Sequence, residues 1–372
     1  MPAPPRVATI ATMIETDVVS SAFRQIVDDG LTREPRFAEK AARWEAWWNC
    51  SADRPLLIGS APLGPAARRR KPFELVEQPG AWLDAERERL AATRFLDQSV
   101  PHIRVDFGPV LTAAFLGAEL QFALEENTSW QKPVPSVYRT DLTIKRTNRW
   151  LHACLALCEA TAADAADDYL VSLPDLSAAT DILANLRGSE ALLMDLYDSP
   201  AAVSQALPRL VDAWEYAYTE ITGRIVKAGA GATSWLHAWS EIPYTVPTCD
   251  FNAMIGPDHF AEFALPYLED QGRRAGRCLF HLDGYDAARH APALASSSID
   301  AIKFTPGAGS PGALPQIPMF RMLQEAGKPV LIICTASEVP TLMQELDPSA
   351  TTLFVEHIAD AAAAEELEEM VR

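Results

Sequence analysis

The residues of this chain best placed to do chemistry sit in the stretch LFHLDGYDAARHAP, residues 279–292. It begins as an apolar run and ends as a helical pattern, with His281, Asp283 and Gly284 between. Alternation along a strand puts His281 and Asp283 on one face. A histidine and a carboxylate that converge can share a proton, act as acid and base, or hold a metal. Gly284 then frees the backbone to turn into the following helix. The competing reading makes Asp283 a helix cap and His281 a hydrogen-bonded core residue. Similar polar residues recur where other apolar runs stop. These are Asp175; Trp235, His237 and Trp239; Thr305; Cys334 with Thr335; and Glu356 with His357. The recurrence favours a functional reading of the group. The aromatic pair in SWLHAWSEIPY suggests a pocket wall, and a single continuous strand there would aim Trp235, His237 and Trp239 the same way.

The elements that must position these residues follow a rhythm. Apolar runs at 168–177, 231–240, 277–284, 299–307, 328–336 and 351–360 are each followed by a helical pattern. Near-continuous apolar strands alternating with helices indicate a parallel sheet covered by helices. RPLLIGSAP (54–62) reads as the first strand and IRVDFGPVLTAAFLG (103–117) as the second. Eight units predict an α/β fold, a single (β/α)8 TIM barrel over residues 51–372, with extra N-terminal helices over residues 1–50. No G-x-G-x-x-G opens the first helix, which disfavours a dinucleotide-binding sheet. In such a barrel the active site lies at the C-terminal ends of the strands, where the polar residues above fall. The Trp-rich segment FAEKAARWEAWWNC reads as packing, either a cap on the barrel or a homodimer interface.

Composition excludes several classes. The 372 residues are 48% hydrophobic, enough for a large core. A formal charge of −18 argues against a nucleic-acid partner. ARRRKP, with Arg68, Arg69, Arg70 and Lys71, is the only dense basic run and reads as a solvated loop or a small anion patch. No apolar stretch is long enough to span a membrane, and the N-terminus lacks a signal-peptide pattern. Six scattered cysteines suit reduced thiols, so a cytoplasmic protein acting on a small molecule is expected. Cys154 and Cys158, four apart on a helical pattern, read as core residues.

The segment VPTCDFNAMIGPDHFAEFALPYLEDQ (246–271) followed by LFHLDG resembles the uroporphyrinogen decarboxylase superfamily. There a strand exit of Asp-Phe type precedes a helix with an (I/V)(S/G)P-x-x-F pattern, and the next strand ends in His-x-x-Gly. VSLPDLSAATDILANLRGSEALLMDLYDSPAAV (171–203) is similar to the segment after the third strand, and the resemblance covers about residues 100–372. It implies the barrel, and with Asp250 and Asp175 at strand exits it implies substrate-facing carboxylates. One branch decarboxylates a tetrapyrrole without a cofactor, through an arginine-bearing N-terminal motif. This chain has LIGSAPLGPAARRRK after its first strand, and PDLSAATD where that branch has glycine-proline-threonine.

The other branch moves a methyl group between a corrinoid protein and a thiol, with zinc held by His-x-Cys and a later Cys. His281 matches the first of those ligands, while Asp283 replaces the second. The resemblance therefore implies a site of His281, Asp283 and His357, with Cys334 as a further ligand, holding zinc or a harder divalent ion. Substrate would meet Asp175, Trp235, His237, Trp239, Asp250, Thr305 and Glu356. The leading expectation is a metal-assisted methyltransferase with a corrinoid protein as partner. A metal-free decarboxylase or lyase, in which His281 and Asp283 shuttle protons, is the alternative. A barrel that binds a ligand without catalysis is the third.

Overall fold

The computed structural model describes residues 30–64, 75–123, 128–134, 136–226, 231–307 and 309–371. The basic run Arg68–Lys71 and the first 29 residues of the N-terminal extension lie outside the described residues. The strands are β1 (Leu56–Pro62), β2 (Thr93–Phe95), β3 (His102–Arg104), β4 (Glu119–Ala123), β5 (Thr128–Lys132), β6 (Leu170–Leu173), β7 (Ala232–Ser234), β8 (Trp239–Ser240), β9 (Leu279–Asp283), β10 (Ala301–Thr305), β11 (Val330–Cys334) and β12 (Thr351–Val355).

Parallel ladders join β9 to β10, β10 to β11, β11 to β12 and β12 to β1. A second parallel array runs β3, β6, β7. Bridges from Thr245 to Cys278 and from Thr248 to His281 add the segment around 245–248 to β9, also in parallel. The parallel βα rhythm expected from the apolar runs is present, and the expected first strand falls on β1; of the expected second strand over 103–117 only the start lies in β3, because Leu111–Phe115 is helical. Among the described residues the ladders leave two interruptions, between β1 and β3 and between β7 and the 245–248 segment.

Alternation sorts the strand residues into two layers. Phe280, Leu282, Ile302, Phe304, Val330, Ile332, Leu353 and Val355 pack with the covering helices. Leu279, Ala301 and Leu331 turn to the other side, where they join Leu56, Ile58 and the tryptophans of the helix Phe37–Trp48. That helix lies at the N-terminal ends of the strands: Ala52 N–H donates to Ser349 O, just ahead of β12, at 3.2 Å. Its indoles are anchored by donation from Trp44 Nε1 to Gln98 O (2.9 Å) and from Trp48 Nε1 to Trp239 O (2.8 Å). Arg277 holds Glu45 through both carboxylate oxygens at 2.7 Å. The tryptophan-rich helix thus caps the end of the strands opposite the polar exits.

One expected strand is corrected. Residues 231–240 do not run straight. The chain turns after Ser234, His237 takes a left-handed φ of 60°, and β8 returns antiparallel to β7. Two short bonds hold the turn, from His237 N–H to Ser234 O and from Leu236 N–H to Ser234 Oγ. A close approach also fixes β1 against β12: a Cβ on Gly59 would lie 2.6 Å from Val355 O, so no larger residue fits there. No helix among the described residues is long and apolar enough to cross a membrane.

Candidate active site

The site is built on β9 and β10. Their register places Lys303 beside His281 and Thr305 beside Asp283. Because strand residues alternate, His281, Asp283, Lys303 and Thr305 all face away from the helix layer occupied by Phe280, Leu282, Ile302 and Phe304. Asp283 ends its strand, and Gly284, at φ 79°, turns the chain into the short helix Gly284–Ala287. Asp250 arrives from the other side. The 245–248 segment runs beside β9, and the short helical turn Asp250–Met254 follows it directly. One donor atom from each of Asp250, His281 and Asp283 lies within 4.8 Å of the others.

Beneath this group lies a side chain that the sequence reading missed. Lys303 is buried, with 1% of its surface exposed. Its Nζ lies 2.9 Å from His281 Nδ1, donates to Thr305 Oγ1, and sits 5.2 Å from the centre of the Trp235 ring. The Arg104 guanidinium also approaches that ring, at 5.4 Å. Trp235 thus has two cations near its ring and packs against the His281 ring, with centroids 5.4 Å apart.

Burial sets the protonation of the group. It pulls the Lys303 amine down to about 7, against the upward pull of Asp283, Glu356, Asp250 and Asp175. Burial, then the Lys303 charge, push His281 down to about 4 against the opposing Asp283, so the ring is neutral at pH 7. The facing His281 ring holds Asp283 below the usual carboxylate range. Although its side chain reaches solvent, desolvation by the surrounding strand ends and then the charge of Asp283 raise Asp250. Asp175 is buried and raised to about 7, although Ser177 N–H and Thr248 Oγ1 donate to it at 2.8 and 3.0 Å. Asp181, also missed, is raised to about 8 by burial and then by Asp250.

The other expected residues are placed as follows. A cavity of about 930 Å³ opens at these strand ends, and Asp283, Thr305, Glu356, His357, Leu367 and Met370 line part of it. Cys334 borders it too, but it packs with Val330 and Ile332 in the helix-facing layer, and burial pushes its thiol far up. His357, exposed beyond the end of β12, is likewise not brought to the Asp250–His281–Asp283 group. The expected ligand set thus loses both residues by position: strand alternation turns Cys334 outward, and His357 lies past the strand. The shared face of Trp235, His237 and Trp239 is also corrected, because the turn at His237 separates them. Only Trp235 meets the polar group. His237 packs against His102, with ring centroids 4.6 Å apart, and Trp239 is fully buried against Phe37 near the capping helix.

The two carboxylates and one imidazole have the spacing of metal ligands, but the environment of His281 opposes one. A ligating Nε2 must offer its lone pair, which puts the proton of the neutral ring on Nδ1. Metal-bound histidines give that proton to an acceptor. Here Nδ1 faces a lysine nitrogen, and an ammonium has donors only. With Lys303 protonated, the residues present do not fit a metal ion. In that state the contact makes Nδ1 the acceptor and puts the proton on Nε2, which faces Asp283 Oδ2 across 4.0 Å. That gap is too long for a direct hydrogen bond and leaves room for a donor or acceptor atom of another molecule nearby. Lys303 was legible in IDAIKFTPG only as a lone cation inside an apolar run.

No family model matches the chain, and no curated protein matches it. Among solved structures, the fold is similar to a methyltransferase from Methanosarcina mazei, with a TM-score of 0.59 at 11% identity, over 89% of this chain and 97% of that one. At that identity the likeness concerns the fold.

Proposed function

We propose that the chain is a (β/α)8-type barrel enzyme that moves a methyl group between a small methylated substrate and a corrinoid carried by a partner protein. The observation that carries this reading is the convergence of Asp250, His281 and Asp283 at strand C-terminal ends, in a fold shared with a methyltransferase. The open cavity of about 930 Å³ beside Asp283 suits a substrate approached from outside by a partner's prosthetic group. When docked, the corrinoid would supply the centre that accepts or returns the methyl group.

The chain's own residues would orient the substrate and manage its proton. With Lys303 donating at Nδ1, the neutral His281 ring would carry its proton on Nε2, towards the mouth. When the substrate's heteroatom loses its methyl group, that N–H bond breaks and a new bond to the heteroatom forms, so the departing group leaves neutral. Asp283, held ionised, would orient the substrate opposite Nε2, and Trp235 would exclude water from the inner side. The test is to incubate the protein with a reduced corrinoid and a panel of O-, N- and S-methyl compounds, following the corrinoid's visible spectrum. One active compound, with a loss of at least about 100-fold in His281→Ala, supports the reading. No spectral change across the panel overturns it.

A second reading is favoured by Arg104 and Lys303, both near the Trp235 ring, as cations that would attract a substrate carboxylate. A decarboxylase or lyase would then release carbon dioxide with no corrinoid present.

A further inference from the structure

We propose that Lys303 stands in the place of a metal ion: its ammonium, instead of a divalent cation, supplies the positive charge of this site. This assignment does not depend on the methyl-transfer reading above.

Three observations carry the inference. First, the contact is enforced by the sheet. Lys303 and His281 are register partners on adjacent parallel strands, so their side chains emerge side by side on one face. Second, the lysine is committed. It is buried, it bonds His281 Nδ1 and Thr305 Oγ1, and it lies over the Trp235 face. Third, the two carboxylates of the would-be metal group, Asp283 and Asp250, together with Glu356 and Asp175, pull this amine towards its charged form. With Lys303 charged, a divalent ion at Asp250, His281 and Asp283 would meet a like charge behind the ring and would need an Nε2 lone pair while Nδ1 faces only a donor.

The test is calorimetric titration with Zn²⁺, together with metal analysis, on wild type, Lys303→Met, Lys303→Arg and the double variant Lys303→Met/His281→Ala. Wild type and K303R, which keep the charge, should bind no stoichiometric zinc. K303M frees Nε2 as a ligand and should take up about one ion per chain, lost again in the double variant. Lys303→Gln carries the same test if K303M does not fold. One zinc per wild-type chain, lost in His281→Ala, would overturn the proposal. So would failure of both neutral variants to gain zinc. These titrations need no substrate, so they fail independently of the methyl-transfer reading. In the transfer assay itself, wild-type turnover should survive a chelator, while K303M should lower kcat more than it changes KM.

Discussion

Replacing Lys303 by methionine should make the protein more stable at neutral pH while it damages the site. The amine titrates at about 7 in the fold against 10.5 in an open chain. The gap of about 3.5 pH units, at about 1.4 kcal/mol each, corresponds to about 5 kcal/mol spent on keeping an ammonium buried. Local relaxation reduces this, so a gain of about 2–5 kcal/mol is expected from a side chain of similar length and no charge. The sign depends on pH. Below pH 7 both folded and unfolded chains carry the proton, and the full cost applies. Between pH 7 and 10.5 the unfolded chain binds more protons, so the cost fades as pH rises. The advantage of K303M should therefore be largest at pH 6.5 and about 1 kcal/mol at pH 9.5. For 372 residues, an unfolding entropy of about 2.1 cal/mol/K per residue gives about 0.8 kcal/mol/K, so the melting temperature should rise by about 3–6 °C. Urea unfolding of both proteins at the two pH values measures this directly. A K303M protein less stable than wild type at pH 6.5 would refute the reasoning, because the ammonium would then be net stabilising.

Asp175 and Asp181, raised to about 7 and 8 from 3.8, hold protons in the fold that the unfolded chain releases. Their contribution is fully present below pH 3.8 and is lost as pH rises towards 8. Asp175→Asn should therefore flatten the fall of the urea midpoint between pH 5 and 8. Trp239→Leu should cost about 3 kcal/mol in unfolding free energy, because that ring is fully buried at the capping helix. Trp235→Leu should instead spare stability and reduce turnover, read in the methyl-transfer assay. Arg277→Ala leaves Glu45 without its two-point partner. It should cost about 1–3 kcal/mol and speed proteolysis within the Phe37–Trp48 helix.

Much of this protein is legible one segment at a time. Apolar runs followed by helical patterns mark the parallel strands, because burial on both faces imposes that composition locally. Alternation alone puts His281 and Asp283 on one face, and Gly284 marks the turn that ends their strand. Four matters were decided elsewhere. Lys303 meets His281 only because β9 and β10 pair in one register, and register is a property of two strands. Asp250 joins the group because a separate segment bridges to β9 at Thr248 and His281. Trp235 parts from Trp239 because a left-handed His237 turns a stretch that composition presents as one strand. Cys334 was always on the face of Val330 and Ile332, but which face of β11 meets the helices depends on where the sheet places its neighbours. Side-chain period is a local property of the backbone, whereas the neighbours of a side chain, and with them the charge on Lys303 and the tautomer of His281, depend on how distant segments pack.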